Sequence, residues 1–299
     1  MPAMLSADAQ AWRSAGRMMR VMDVDVFVRT ANDAAPGPAL VLLHGFPSSS
    51  YDFHLCWDEL ARTRRVVTLD YPGYGFSDKP DALSYSLLEQ ADVVEVVLAE
   101  LGVERAAVIA HDMGTSVTTE LLARRAQGRL GFELERLVLL NGSVYIDLAV
   151  LSLSQRLLRI PVLSRLFARL SNRRSFGAQL QRIVGRKLPE RELDDMFGLI
   201  QHNGGRRLLP RLIGYVDERH RFKQRWLSPL ARLDVPTLVV WGARDPIAVM
   251  AIGDKLAATI PGAELIRFDD LGHYLQLEDP ERVLAAMAPF LAAGAAAAG

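Results

Sequence analysis

The sequence predicts an α/β protein with a mostly parallel central sheet, flanked by helices and interrupted by one all-helical insertion. Short apolar runs alternate with longer helical patterns, and several of these runs are continuous, as in strands buried on both faces. Such alternation implies right-handed crossovers that place helices on both faces of the sheet. One long segment breaks the alternation before the strands resume. A chain of 299 residues is long enough for one large domain that carries an insertion.

The elements follow from these runs in chain order. Seven strands are predicted, at residues 24–28, 39–43, 65–69, 106–109, 134–140, 237–241 and 263–268. Helical patterns lie between them, and the clearest cover residues 86–101 and 116–126.

The break in the alternation lies between residues 143 and 232, where leucine- and arginine-rich helical segments replace the strands. Residues 143–230 contain 17 basic and 7 acidic side chains, whereas the whole chain has 35 of each. A change in local net charge at the same place as a change in secondary-structure type indicates an inserted subdomain. We therefore predict a core domain of residues 1–142 and 233–299 and a helical cap domain of residues 143–232, called the insertion below.

Composition restricts the partners, cofactors and compartment. The balanced total charge argues against a nucleic-acid binder. A single cysteine, Cys56, allows no internal disulfide. No secretory signal and no uncharged apolar run of about 18 residues is visible. We therefore expect a cytoplasmic protein. There is no Cys/His metal spacing and no GxGxxG after a strand, so we expect neither a metal nor a nucleotide cofactor. The oligomeric state is left open.

The stretch VIAHDMGTSV, residues 108–117, has the pattern of a strand, a tight turn and a helix. Asp112 lies at the apex of the turn, and the small residues Ala110 and Gly114 lie two positions before and after it. A nucleophile elbow needs small residues there, because bulky ones would collide with the neighbouring strands. The alternative is an ordinary strand–helix loop in which Asp112 only caps the helix.

A second motif, LVLLHGFP, places a buried strand before the loop of residues 44–47. In folds with a nucleophile elbow, this loop supplies one backbone N–H of an oxyanion hole, and the residue after the nucleophile supplies the other. The two donors would therefore be the N–H groups of Phe46 and Met113.

Two further motifs supply the acid and the histidine, which follow the nucleophile along the chain in the order expected for such a site. Asp245 follows the strand in PTLVVWGARDPIA, and His273 follows the strand in AELIRFDDLGHYLQ. The carboxyl ends of parallel strands meet at one edge of a sheet, so these side chains should lie near Asp112. Asp269 or Asp270 could replace Asp245 as the partner of the histidine.

Together these motifs resemble the α/β-hydrolase superfamily, within the branch that holds epoxide hydrolases and haloalkane dehalogenases. The resemblance covers residues 20–292 and rests on HGFPSSSYDF, LDYPGYGFSDKP, AHDMG, WGARDPI and GHYLQLEDP. It implies an α/β-hydrolase fold, with the insertion as the helical cap over the active site. It also implies that His111 packs behind the elbow without a catalytic role.

The resemblance further implies which side chains assist the leaving group. In relatives, an epoxide oxygen receives a proton from cap tyrosines, and Tyr215 matches such a position, with Tyr145 as a second candidate. A halide is held by indole N–H groups, which Trp226 or Trp241 could supply. We assign His44 to the substrate pocket together with these two tryptophans.

The apex aspartate narrows the reaction class further than the fold does. An ionised carboxylate can attack a saturated carbon without a base and form an alkyl-enzyme ester. His273, oriented by Asp245, would then activate water to hydrolyse that ester, while the two backbone N–H groups stabilise the oxyanion. We therefore expect a cofactor-independent hydrolase that converts a small lipophilic epoxide to a vicinal diol.

Several alternatives remain at this point. Dehalogenation would use the same nucleophile, although Met113 stands where relatives place an indole and Phe46 stands where they place an asparagine. Ring-opening of a strained lactone and a non-catalytic ligand-binding role are two others. The cationic, amphipathic stretch 154–170 could also contact an anionic membrane surface, or its apolar face could simply cover a lipophilic site.

Overall fold

The computed structural model describes residues 5–293 and contains a sheet of eight strands. The strands are β1 (Arg17–Val21), β2 (Val24–Ala31), β3 (Ala39–Leu43), β4 (Val66–Leu69), β5 (Arg105–His111), β6 (Glu133–Leu140), β7 (Thr237–Gly242) and β8 (Glu264–Phe268). Their order in the sheet is β1-β2-β4-β3-β5-β6-β7-β8. The pairs β1–β2 and β2–β4 are antiparallel, and all the other neighbouring pairs are parallel. The predicted α/β class is confirmed.

Helices cover both faces of the sheet. They are α1 (Ala7–Ser14), α2 (His54–Ala61), α3 (Leu87–Glu100), α4 (Met113–Ala126), α5 (Leu153–Leu158), α6 (Pro161–Leu170), α7 (Arg173–Leu180), α8 (Glu190–Gln201), α9 (Leu209–Leu212), α10 (Tyr215–Arg221), α11 (Lys223–Leu227), α12 (Met250–Thr259), α13 (Leu275–Glu278) and α14 (Pro280–Ala292). Among the described residues, no helix is long and apolar enough to cross a membrane.

The sheet is buried on both faces, as the continuous apolar runs predicted. In β3, Leu40 and Leu42 belong to the apolar cluster on one face, whereas Val41 and Leu43 belong to the cluster on the other. This arrangement leaves the carboxyl ends of the parallel strands as the edge where polar loops can gather.

The structure also contains elements that the sequence analysis missed. All seven predicted strands are present, but β1 and α1 were not predicted. Met22 and Asp23 join β1 to β2, both with positive φ angles of 48° and 63°. Tight hairpins of this kind usually carry Asn-Gly or Asp-Gly, and β1 is a mostly exposed edge strand, so both usual signals are weak here.

The insertion leaves the sheet after β6 and returns before β7. Within residues 143–232 the structure has helices α5 to α11 and no strand. Buried Glu120 on α4 ties this segment to the core, because it accepts hydrogen bonds from Arg225 Nε at 2.7 Å and Trp226 Nε1 at 2.8 Å. Whether this segment is a separate domain with boundaries at 143 and 232 stays a prediction.

Candidate active site

The turn that carries Asp112 has the conformation expected of an elbow. Asp112 lies between β5 and α4 with φ 45° and ψ −112°, a region that stores roughly 1–3 kcal/mol of strain in a residue with a side chain. A Cβ atom on Gly114 would collide with the carbonyl oxygen of Leu43, and one on Gly45 would lie 2.6 Å from Asp112 Cβ. The small residues are therefore required by the close approach of β3 and its loop. α4 begins at Met113, three residues earlier than predicted, because the helix starts directly at the elbow.

The two oxygens of the Asp112 carboxylate have different surroundings. The backbone N–H of Phe46 donates to Oδ2 at 2.8 Å. Within the described residues, Oδ1 has no hydrogen bond, and Nη2 of Arg219 is 3.9 Å away. Met113 is the first residue of α4, where backbone N–H groups have no acceptor within the helix. Of the two predicted oxyanion-hole donors, the N–H of Phe46 therefore contacts the carboxylate.

His273 pairs with Asp245 at the ends of β8 and β7. The Nδ1–H of His273 donates to Oδ2 of Asp245 at 2.6 Å, which leaves Nε2 as the free ring nitrogen. Burial lowers the pKa of His273, but the charge and hydrogen bond of Asp245 raise it more, to about 9. The negative charge of Asp112 acts in the same direction as Asp245, which indicates that the histidine and the elbow carboxylate are electrostatically coupled.

Asp245 itself is held in place by groups on three sides. Its Oδ1 accepts the backbone N–H groups of Ile247 at 2.7 Å and Ala248 at 3.1 Å. Asn141, which the sequence analysis missed, donates from Nδ2 to Asp245 Oδ2 at 2.9 Å and accepts the backbone N–H of Gly242 at 2.7 Å. A polar residue directly after a buried strand was the signal that could have identified Asn141.

Asp269 and Asp270 do not replace Asp245. Asp269 pairs with Arg267 at the surface, and Asp270 pairs with Arg186 and Arg282. Both carboxylates are therefore engaged by arginines, and the alternative partners for His273 are wrong.

Asp112, Phe46 and His273 form part of the wall of a cavity of about 780 Å³, its opening included. The other walls are mainly apolar and come from the insertion. They include Leu158, Phe167, Phe176, Leu180, Phe197 and Leu209. The cavity therefore places the carboxylate and the histidine under an apolar roof.

Tyr215 lies beside this cavity with its hydroxyl hydrogen free. Gln155, which lines the cavity, donates from Nε2 to the Tyr215 hydroxyl at 2.9 Å. The amide orientation of Gln155 is fixed, because its Oε1 accepts the backbone N–H of Ser152 at 2.8 Å. Tyr215 must therefore accept from Gln155 and can donate its own hydrogen. Burial and the charge of Asp112 raise the pKa of this hydroxyl above its ordinary value, so it stays protonated.

Tyr145 is in a different place from the one predicted. Its hydroxyl donates to Oγ1 of Thr259 on α12 at 2.8 Å, and Nζ of Lys255 lies 4.6 Å from the centre of its ring. Neither tyrosine lines the cavity itself, but the Tyr215 hydroxyl bonds Gln155, which does, whereas Thr259 does not. The assignment of Tyr145 as a proton donor is therefore corrected.

The three residues assigned to the substrate pocket also have other contacts. Trp226 donates its indole N–H to Glu120 at 2.8 Å, and Trp241 donates to the carbonyl oxygen of Ala248 at 2.7 Å. His44 is fully buried: its Nδ1 bonds the Gly45 carbonyl oxygen at 2.8 Å, and its Nε2 accepts from the backbone N–H of Tyr71 at 3.2 Å. None of the three lines the cavity, neither indole is free to bind a halide, and His44 instead contacts the loop that carries Phe46, so their assignment to the substrate pocket is corrected.

Arg219 is the second residue that the sequence analysis missed. It is buried on α10, donates from Nε to Ser116 Oγ at 2.7 Å, and lies over the ring of Tyr215 at 4.5 Å. Its Nη2 has no hydrogen-bond partner within residues 5–293. As one of 17 basic residues between 143 and 230, it carries no signal that distinguishes it in the sequence.

His111 packs behind the elbow, as the resemblance implied. Its Nε2–H donates to the carbonyl oxygen of His273 at 2.8 Å. Burial lowers the pKa of the imidazole to about 4, so the ring is neutral near pH 7. His111 thus connects the residue next to the apex with the loop that carries His273.

A strained turn that presents a buried carboxylate, a histidine–acid pair at neighbouring strand ends and a helical insertion over both define a hydrolase of the α/β fold. The chain belongs to the α/β-hydrolase fold family, whose sequence model matches residues 38–280.

Relatives and solved structures agree with this assignment. The chain is 42% identical over 282 residues to LipZ of Mycobacterium tuberculosis, provisionally named a hydrolase, with 93% of this chain and 96% of the relative covered. It is 35% identical over 300 residues to the mesoderm-specific transcript protein of Mus musculus, covering 97% and 90%. A haloalkane dehalogenase from Bradyrhizobium elkani, DbeA, has a TM-score of 0.77 at 24% identity, covering 95% and 99%. This last likeness shows the fold alone.

Proposed function

We propose that the protein is a cofactor-independent hydrolase that opens an epoxide through an ester with Asp112 and releases a vicinal diol. The observation that carries the proposal is the unequal environment of the carboxylate, in which Oδ2 is bound by Phe46 N–H and Oδ1 has no hydrogen bond among the described residues. An ionised carboxylate with one free oxygen can attack a saturated carbon without a base. A serine at the same position would need His273 as the base in the first step.

In the first step, Oδ1 of Asp112 bonds to an epoxide carbon, and the bond between that carbon and the ring oxygen breaks. The oxygen takes a proton from Tyr215, whose hydrogen is left free by the Gln155 contact. Nη2 of Arg219 lies 3.9 Å from Oδ1 of Asp112 and adds positive charge near the negative oxygen that develops in this step.

In the second step, His273 takes a proton from water and the hydroxide attacks Cγ of Asp112. Negative charge develops on Oδ2, where Phe46 N–H is already placed, and the N–H of Met113 is the second donor. Cleavage of the bond between Cγ and Oδ1 releases the diol, whose leaving oxygen takes the second proton of the water, and the proton on His273 returns to Tyr215 through the product or solvent. One oxygen of the diol comes from Asp112, and the carboxylate keeps the oxygen of water.

The side chains around Asp112 favour an epoxide over a halide. The indoles of Trp226 and Trp241 donate to protein oxygens, so neither is free for a halide ion. Tyr215 supplies the proton that an alkoxide needs and a halide does not. The apolar wall formed by the insertion fits a small lipophilic substrate.

A single-turnover reaction in heavy-oxygen water tests the covalent mechanism. Each epoxide of a panel is mixed with an excess of enzyme. The diol released should contain no heavy oxygen, and the peptide that holds Asp112 should gain one heavy oxygen atom. Halide release from haloalkanes, measured in parallel, tests the competing reaction. Heavy oxygen in the diol together with an unlabelled Asp112 would show direct attack by water and would refute the ester.

Replacement of Tyr215 by phenylalanine should slow ester formation by about 10²–10⁴-fold, because the leaving oxygen loses its proton donor. The matched control is Tyr145→Phe, which removes a hydroxyl bonded to Thr259 outside the cavity and should leave the rate within about threefold. Rapid-quench measurement of the alkylated protein isolates this step from ester hydrolysis. Equal rates for both variants would remove Tyr215 from the mechanism.

A further inference from the structure

Helix α6 in the insertion presents an apolar outer face to solvent. Seven of the eleven exposed large hydrophobic side chains within residues 5–293 lie between residues 150 and 170. On α6, Val162, Leu166 and Leu170 are 84%, 53% and 65% exposed. Because they are spaced four residues apart, they form one stripe along the helix. Apolar residues concentrated on a surface in this way usually mark an interaction site.

The need to cover the cavity does not explain this face. Leu158 and Phe167 line the cavity, while Ser164 and Ala168 are buried against the protein. Leu158 and Phe167 therefore already contribute to the apolar roof over Asp112. The outward stripe is therefore additional apolar surface on the other side of the same helix.

The surroundings of the stripe are strongly basic. Residues 148–189 contain nine arginines and lysines and no aspartate or glutamate. Arg165 and Arg169 are exposed and form the neighbouring stripe of α6, and within the described residues neither makes a salt bridge. An apolar stripe with a basic border is typical of helices that lie in the interface of an anionic membrane, where arginine stems cover apolar surface and their charges reach the phosphates.

We propose that α6 docks the protein on the surface of an anionic phospholipid bilayer, with Val162, Leu166 and Leu170 in the interface and Arg165 and Arg169 at the lipid phosphates. A second copy of the chain fits less well, because two such faces would bring together the arginines Arg165 and Arg169 of both copies, which make no salt bridge within the described residues. In the docked state the outer side of the cavity roof faces the lipid, in which lipophilic molecules concentrate.

Co-sedimentation with phosphatidylcholine vesicles, with and without phosphatidylglycerol, tests the proposal. The wild type should bind the vesicles that contain phosphatidylglycerol, and added salt should weaken binding. The triple variant Val162→Gln, Leu166→Gln and Leu170→Gln should lose about tenfold or more in partitioning, because the buried apolar area disappears. The double variant Arg165→Gln and Arg169→Gln should lose about fivefold per arginine, and only on the anionic vesicles.

Two further measurements distinguish docking through α6 from nonspecific adsorption to vesicles. The matched control carries Met18→Gln and Leu265→Gln, which remove exposed apolar side chains outside the insertion and should leave vesicle binding unchanged. In Leu166→Trp, the indole emission should shift to shorter wavelength only when phosphatidylglycerol vesicles are added. The proposal is overturned if the wild type shows no salt-sensitive binding or if the triple variant binds as well as the wild type. It is also overturned if sedimentation velocity without lipid shows a dimer that the triple variant abolishes.

Discussion

Replacing His273 by glutamine should stop turnover after the first step and leave the enzyme alkylated on Asp112. Ester formation uses the carboxylate, Tyr215 and Arg219 but not His273, so it should proceed at close to the wild-type rate. Ester hydrolysis should fall by about three orders of magnitude or more, because glutamine cannot accept the proton of water. Intact-protein mass spectrometry after mixing with an epoxide should show a stoichiometric gain equal to the substrate mass.

Glutamine is the suitable replacement because its amide can still donate to Asp245, which would otherwise lose its partner at 2.6 Å. In the wild type, acid pH should have the same effect reversibly, because a protonated His273 cannot accept the proton of water. The negative charge of Asp112 helps to raise the pKa of His273 to about 9. Alkylation removes that charge, so the pKa of His273 falls when the ester forms. Below the lowered pKa the ester should accumulate, and above it turnover should resume. A variant that turns over normally, or one that never gains mass, contradicts the assigned role.

The elbow could be predicted from sequence because its constraints are local. Asp112 needs small residues two positions before and after it, and the collision that a Cβ on Gly114 would make with the Leu43 carbonyl oxygen is a physical reason for the second of them. The order of Asp112, Asp245 and His273 along the chain is equally visible, since each follows a buried strand of a parallel sheet. The fold class depends on the same strands and was therefore predictable.

The environment of the carboxylate was not predictable because it depends on contacts between distant segments. The indole of Trp226 is bound by Glu120, which lies on a different helix in the core. Arg219 reaches Asp112 only because α10 packs over the elbow. The difference between Tyr215 and Tyr145 depends on Gln155, whose amide is fixed by a helix cap. Such partners leave no periodic or spacing signal in a single sequence.

Replacing Asp112 by asparagine should abolish alkylation and lower kcat/KM for the epoxide by about 10⁴-fold or more. The amide has nearly the shape of the carboxylate, and its oxygen can still accept from Phe46 N–H. What disappears is the negative charge that makes Oδ1 a nucleophile toward saturated carbon. The cavity wall is otherwise unchanged, so a diol or other non-reacting ligand should bind about as well as before.

The matched control for this change is Asp52→Asn, which also replaces a buried carboxyl group by an amide of similar shape. Asp52 accepts a hydrogen bond from Ser48, and burial raises the pKa of its carboxyl well above the ordinary value. Since this group holds its proton to a higher pH than an ordinary carboxyl, a neutral amide is a close substitute for it. We expect activity within about threefold of the wild type and a small change in thermal stability. If Asp52→Asn and Asp112→Asn lost activity equally, the loss would follow from replacing any buried carboxyl group near the site. That result would refute the assignment of Asp112 as the nucleophile.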